Sequence, residues 1–323
     1  MTRQTIVFRP GMAPEPDPSS EQIAAACASR DQLLWIDLLA PSTADIDAIA
    51  QEFEFHPLAR EDAHHRRQRP KVDQYGDALF IVFYALSVED LQVTQEEIHV
   101  YIGPNVVITM SDHPIPAVLD IRQRWLEAGP AGNGGQTAGM LLYALLDAIV
   151  DDYFPVVDHL SELLDAAQER IFEAQDTGNQ QHVYRIVRTL LLVRRVLAPE
   201  RDVLNALVRR DIPIIEASTI VYFQDVYDHI LRMAETIDTY RELVAGAIDV
   251  QLAVTSNRLN EVMKRMTALS IILMSVTLIA SIYGMNFVNM PELDWHYGYP
   301  IAITTMVAIG AVLFVIFRRI KYL

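Results

Sequence analysis

Tyr283-Gly284-Met285-Asn286-Phe287 lies inside a run of 26 residues, Met266 to Pro291, that contains no Asp, Glu, Lys or Arg. A second such run, Trp295 to Phe317, spans 23 residues, and only Glu292, Leu293 and Asp294 separate the two. A helix needs about 20 mostly apolar residues to cross a bilayer, so each run is long enough. The chain therefore reads as ending in a membrane hairpin: a span at 266–285, an outer loop at 286–299, a second span at 300–317 and a basic tail at 318–323.

Charge placement orients the hairpin. Arg258, Lys264 and Arg265 precede the first span and Arg318, Arg319 and Lys321 follow the second, whereas Asn286 to Tyr299 holds no Lys or Arg. The excess of basic residues on the cytoplasmic side predicts both termini inside and the loop outside, with Trp295, Tyr297 and Tyr299 as aromatic anchors at the outer interface. Met1 to Met12 has no apolar core of signal-peptide length, so the residues before the hairpin are expected to stay in the cytoplasm.

The 323 residues carry 42 carboxylates against 26 Lys and Arg, a net charge of −16. Such a surface repels phosphate backbones and argues against a nucleic-acid partner; cations suit it better. Cys27 is the one cysteine, so there is no internal disulfide, and no Cys/His spacing for structural zinc appears. These features fit a reducing cytoplasm.

Residues 1–130 read as a cytoplasmic α/β domain, a mixed sheet with helices. The strand candidates are Thr5–Phe8, Leu33–Leu38, Ala78–Ser87, Glu97–Ile102 and Val106–Met110. Ser42 followed by Asp45 marks a helix start, continued by Ile46, Ile49, Ala50 and Phe53. A Gly-rich stretch from Gly129 to Gly139 reads as a linker. It lacks the Gly-Lys-Ser/Thr that holds phosphates and magnesium, which argues against nucleotide as an energy source.

Residues 131–212 then read as an antiparallel helix pair, Leu141 to Ala174 and His182 to Arg210, with a turn at Asp176-Thr177-Gly178-Asn179 and a kink or split at Pro155. The first helix is acidic and the second basic, which suits side-by-side pairing, but such charge runs are most often solvated faces. From Pro213 one helical pattern continues without a convincing stop to Gly284, since a lone Gly246 costs only about 1 kcal/mol against alanine. Residues 213–265 are its cytoplasmic part.

Polar and soft residues recur along that helix at Asn260, Met263, Thr267, Ser270, Met274, Thr277, Ser281 and Gly284, in alternating steps of three and four. This is the 3.5-residue repeat of a bundle seam. The opposite face carries Ile271, Leu273, Val276, Leu278 and Ile279. Polar residues inside a membrane usually face a bundle interior or water. Small and hydroxyl residues also line ordinary helix contacts in lipid, and methionine on such a helix commonly just packs. One hairpin cannot enclose a channel, so a pore requires several copies.

Several segments together resemble one family. They are Tyr283-Gly284-Met285-Asn286-Phe287, Met290-Pro291-Glu292-Leu293, Gly298-Tyr299-Pro300, Arg69-Pro70-Lys71-Val72, Asp147 to Phe154, Tyr222 to His229 and Ser256 to Lys264. The chain resembles the CorA family of divalent-cation channels over nearly its whole length. The resemblance implies a homopentameric, funnel-shaped channel of the inner membrane for passive Mg²⁺ uptake driven by the membrane potential, with Co²⁺ and Ni²⁺ as further cargo. Gly284, Met285 and Asn286 would form the selectivity filter, and Glu292 and Asp294 would attract cations at its mouth. Asp249, Asn260, Met263, Met266, Met274 and Thr277 would line the path, joined from the seam by Ser270 and Ser281. The spacing favours Thr267 over Met266; the family pattern favours Met266, as a constriction like Met274.

A regulatory Mg²⁺ is also implied, between Asp225 and a carboxylate of a neighbouring subunit's α/β domain. In that second segment Ser87 occupies the ligand position or the adjacent acids Glu89 and Asp90 do. His64 and His65, beside Arg66, Arg67 and Arg69, are poorly placed to chelate one ion and read as a surface or subunit contact. The nearest alternative is the zinc-transporting branch of the same superfamily; a non-conducting membrane-tethered sensor is another. No constellation of an activated nucleophile or metal-bound water suggests an enzyme.

Overall fold

The computed structural model describes residues 2–29, 31–127, 137–173, 178–209, 212–286, 290–291 and 295–322. Most of the Gly-rich stretch, Asp176 and Thr177 of the turn, and Glu292 and Asp294 of the outer loop lie outside the described residues. The chain divides into two compact units, Met1–Ala245 and Gly246–Leu323.

The first unit holds seven strands: β1 (Thr2–Phe8), β2 (Glu15–Pro16), β3 (Leu33–Leu39), β4 (Lys71–Tyr75), β5 (Ala78–Glu89), β6 (Gln92–Ile102) and β7 (Val106–Ser111). They form one sheet in the order β2-β1-β3-β7-β6-β5-β4. Only β3 and β7 run parallel; the other pairs are antiparallel. All five strand candidates fall within these elements. Leu79 to Tyr84 are all buried, on both sides of the pleat, as in a sheet covered on both faces. Each such large apolar side chain contributes about 1.5–3 kcal/mol of burial.

The helices of this unit are α1 (Ser20–Ala28), α2 (Thr43–Glu52), α3 (Pro57–His64), α4 (Pro116–Glu127), α5 (Ala138–Asp151), α6 (Tyr153–Glu173) and α7 (Gly178–Arg209). Helix α2 starts where the sequence places it: Ser42 and Asp45 cap each other reciprocally. Gly139, read above as the end of a linker, belongs to α5; a Cβ there would stand 3.0 Å from the Ile214 carbonyl oxygen, so the chain passes too close for a side chain. The long pattern around Pro155 is split at Asp152, leaving the proline in the first turn of α6, where its missing N–H costs nothing. Helices α6 and α7 pack against each other, and Leu160 and Leu164 of the one and Ile186 and Leu190 of the other are buried. No ion pair joins their charged faces among the described residues, so those charges are largely solvated.

Where β4 ends, a buried carboxyl takes over its work. The last β4–β5 pair is Lys71 with Val82, and the preceding residue, Pro70, has no N–H to continue the ladder. Glu200 of α7, fully buried, accepts the Tyr84 N–H at 2.8 Å, while the Tyr153 hydroxyl donates to the Tyr84 carbonyl. Glu200 Oε2 and Tyr153 Oη are 2.9 Å apart. A phenol has one proton, and the carbonyl takes it, so Glu200 must supply the proton between Oε2 and Oη. Burial agrees, since it pushes the Glu200 carboxyl well above the usual carboxylate range.

Helix α8 (Ile220–Tyr283) runs unbroken for 64 residues, through Gly246, and α9 (Gly298–Arg319) follows the outer loop.

Candidate functional site

Within the second unit, α8 and α9 form an antiparallel hairpin. Lys264 Nζ lies 5.8 Å from the Tyr322 ring centroid at the basic end of both helices. Farther along, Leu269, Ile272 and Val276 line a groove with Met306, Gly310 and Phe314. A Cβ on Gly310 would stand 3.8 Å from Val276 Cγ2, ordinary van der Waals contact, so the helices face each other here with room for a methyl group. Both helices have apolar windows of membrane length, and only 6% of each window is buried inside the chain. A soluble core helix of that composition would be covered; these are exposed, as lipid-facing or partner-facing helices are.

The seam takes the other side of α8. At 100° per residue, positions 263, 267, 270, 274, 277 and 281 fall within about 40° of the line opposite Ile272. Asp249, Asn260, Met263, Met266, Thr267, Ser270, Met274, Thr277 and Ser281 are all exposed in the single chain, Met266 and Met274 at 63% and 69%. Of the apolar residues read as facing away from the seam, Val276 and Ile279 are half-buried, whereas Ile271, Leu273 and Leu278 are exposed flanks. Ser275, off the seam, turns its hydroxyl onto the Ile271 carbonyl at 2.8 Å. No such side-chain bond engages Thr267, Ser270, Thr277 or Ser281 among the described residues. Their hydroxyls keep free hydrogen-bonding capacity toward whatever the seam faces.

The seam ends at the signature. The Gly284 N–H bonds the Ala280 carbonyl at 3.0 Å and the Met285 N–H that of Ile282 at 3.2 Å, closing the last turn of α8. A Cβ on Gly284 would come within 3.3 Å of the Ala280 oxygen. Asn286 follows directly and is exposed.

In the first unit, Asp225 and His229 lie one turn apart on α8, and Asp147 and Asp151 one turn apart on α5. Ligand atoms of Asp147, Asp151 and His229 converge to within 4.8 Å of one another. His229 Nε2 is 3.9 Å from Asp225 Oδ1 and Nδ1 is 4.0 Å from Asp151 Oδ1. That Nδ1 is buried without a hydrogen-bond partner. Burial first, then the charge of Asp151, pushes the Asp147 carboxyl above its usual range, against the Tyr143 hydroxyl bond that lowers it. Burial beside these acids pushes the Tyr143 phenol up to about 12. An orphaned imidazole nitrogen among mutually repelling carboxylates fits a divalent cation; oxygen ligands suit Mg²⁺ and the imidazole suits Co²⁺ or Ni²⁺.

Sequence reading singled out Asp225 but not the other three residues of this group, whose signal was two acid or histidine pairs at i, i+4. Glu89 and Asp90 do not join it within one chain. They close the β5–β6 hairpin, where Asp90 adopts φ 54° and its carbonyl lies 3.0 Å from His159 Nε2. His64 bonds Asp47 at 2.9 Å, and His65 bonds the Glu61 carbonyl at 3.0 Å, so the two rings point to different partners.

A mixed α/β domain continued by a 64-residue helix, itself the first of two exposed apolar helices, defines the class: a protein with two candidate membrane spans. The chain belongs to the CorA-like Mg²⁺ transporter protein family, whose pattern it matches over residues 30–319. It is 35% identical over 294 residues to the cobalt/magnesium transport protein CorA of Thermotoga maritima, covering 90% of this chain and 83% of that one. Its fold is shared with the CorA magnesium transporter of Methanocaldococcus jannaschii at a TM-score of 0.83 and 23% identity, over 99% of this chain and 98% of that one. The cytoplasmic domain of ZntB from Vibrio parahaemolyticus matches at a TM-score of 0.64 and 15% identity, over 79% and 98%. At that identity the likeness concerns the fold alone.

Proposed function

We propose that the chain assembles as a homopentamer in the cell's inner membrane and conducts Mg²⁺ passively, with Co²⁺ and Ni²⁺ as further cargo. The observation that carries this reading is the seam: a row of polar and methionine side chains opposite α9, exposed and without hydrogen-bond partners for its hydroxyls among the described residues, leading to Asn286. Five copies of α8 around an axis would give that row its partner, namely water and the ion. The membrane potential supplies about 2.3 kcal/mol per charge per 100 mV, so a divalent ion needs no other energy source. Mg²⁺ sheds its water reluctantly, and a ring of Asn286 amides, set by Gly284 and Met285, selects the hydrated ion by bonding its water shell. Glu292 and Asp294 raise the local cation concentration. Met274 and Met266 are constrictions that close by dewetting, while Asp249, Asn260, Met263, Ser270, Thr277 and Ser281 line the rest.

Regulation follows from the second group. Intracellular Mg²⁺ bound at Asp225, with Asp147, Asp151 and His229 beside it and Glu89 or Asp90 from a neighbouring subunit, screens repulsion between acidic subunits and holds the closed state. Falling Mg²⁺ empties the site and loosens the ring.

Flux of Mg²⁺, Co²⁺, Ni²⁺ and Zn²⁺ into liposomes holding the purified protein, with Asn286→Ala alongside, tests the reading. Mg²⁺ uptake abolished by the substitution supports it. Zn²⁺ preferred over Mg²⁺ places the chain on the zinc-transporting side, and no flux of any ion makes it a tethered sensor.

A further inference from the structure

One cleft of the first unit runs against the charge of the whole chain. It encloses about 820 Å³ between α7 and the segment joining α3 to β4. In a protein of net charge −16, five arginines line it: Arg66, Arg67 and Arg69 from that segment and Arg194 and Arg195 from α7. Its acids are already engaged. Asp112 holds Arg66 at 2.9 Å, Glu96 holds His113 at 2.9 Å, and Glu97 accepts the Arg67 and Gln68 N–H groups and faces His99.

Beyond the Arg66–Asp112 pair and the bond of Arg194 to Asp238, the arginines are not matched in return. Arg66 Nη1 is buried with no hydrogen-bond partner, and Arg69 reaches Asp202 only at 3.8 Å. Arg67 and Arg195 form no ion pair among the described residues. Arg67 is also held at φ 63°, a left-handed conformation unusual for arginine, by the bond from its N–H to Glu97. Unpaired guanidinium groups gathered in a concave site cost repulsion that an anion relieves, and their planar forks match tetrahedral oxyanions bidentately. The volume admits far more than a halide.

We infer that this cleft binds a multivalent phosphate-chain anion, through Arg66, Arg67 and Arg195. Neither the transport reading nor the acidic metal group requires it. Magnesium bound by such a chain neutralises part of its charge, so the cleft prefers the Mg²⁺-free form of the anion. Arg194 meanwhile bonds Asp238 of α8 and, with Arg241, draws that carboxyl below its usual range. An anion drawing on Arg194 competes with a carboxylate of the long helix.

The test is titration calorimetry on the full-length protein in detergent, in metal-stripped buffer, with tripolyphosphate, ATP and orthophosphate as probes. Tripolyphosphate binds once per chain, orthophosphate much more weakly, and excess Mg²⁺ or added salt lowers the affinity. The double variant Arg67→Gln/Arg195→Gln changes exposed side chains only and weakens binding by about tenfold or more. Arg60→Gln, whose arginine pairs with Asp47 outside the cleft, leaves it unchanged. Equal binding of tripolyphosphate and ATP identifies the phosphate chain as the recognised part; tripolyphosphate alone identifies the free inorganic anion. The inference is overturned if tripolyphosphate shows no saturable binding at millimolar concentration, if ATP alone binds, or if the double variant binds as the wild type does. It is equally overturned if tripolyphosphate fails while Arg67→Glu/Arg195→Glu lowers the oligomer mass, since the cleft is then a contact between copies.

Discussion

Replacing Glu200 by Gln isolates one buried proton. In the wild type the folded carboxyl keeps its proton, because Tyr153 donates to the Tyr84 carbonyl and only a protonated Glu200 completes the ring. The unfolded carboxyl releases its proton above about pH 4.3. Between that value and the raised folded one, the folded state therefore binds one more proton than the unfolded state, and stability falls by about 1.4 kcal/mol per pH unit. Glutamine keeps both bonds, accepting from Tyr84 with its oxygen and donating to Tyr153 with its amide, and has no proton to lose. The variant should gain on the wild type as pH rises from the unfolded value toward the raised folded one, by about 3–5 °C in Tm per pH unit for a unit of this size. Thermal unfolding of the full chain in detergent, followed by intrinsic fluorescence at several pH values, reads the difference directly. Glu200→Ala serves as the contrast, costing about 1–3 kcal/mol by leaving the Tyr84 N–H unpaired. A Tm difference between Gln and wild type that does not change with pH would refute the reasoning, because Glu200 would then carry no extra proton.

Three further outcomes are expected. Mg²⁺ or Co²⁺ should raise the Tm of the wild type, by about 2.7 kcal/mol of stabilisation at a hundredfold excess over Kd, and Asp147→Asn/His229→Ala should lose most of that shift; an undiminished shift removes these residues from the metal group. Because burial and Asp151 hold the Asp147 proton more tightly than usual, metal affinity should fall as pH is lowered through that raised range, with proton release on binding measurable by calorimetry in buffers of different ionisation heat. Gly310→Ala should be tolerated, its Cβ 3.8 Å from Val276, whereas Gly310→Leu should wedge the hairpin apart and lower Tm by several degrees, the order of an overpacking cost of about 1–3 kcal/mol; equal stability of the two variants contradicts the contact with Val276.

The membrane hairpin and the long helix were legible because each is written in one continuous periodicity or run. The strands of the sheet centre were legible for the same reason, since Ala78–Ser87 and Val106–Met110 are apolar and β-branched on both faces. β4 was not: Lys71-Val72-Asp73-Gln74-Tyr75 is a polar edge strand that pairs on one side only. Helices α1, α3 and α4 were missed as well, although Ser19 and Gln22 form a capping box visible in the sequence. The seam was readable as a pattern on one helix, but the face left to α9 was not, because the half-buried Ile272 and Val276 differ little in type from the exposed Ile271 and Leu273. The metal group depends on α5 meeting α8 across about 80 residues, a tertiary fact that neither i, i+4 pair carries alone.

Substituted-cysteine accessibility along α8 tests the ion path most directly. In a Cys27→Ser background, single cysteines at Ser270, Thr277 and Ser281, and at Ile272 and Val276 as controls, would be treated with a charged, membrane-impermeant thiol reagent while Mg²⁺ flux into liposomes is followed. Block at the seam positions and none at Ile272 and Val276 is the result this account predicts. Block at Ile272 and Val276 with the seam positions unaffected would contradict it.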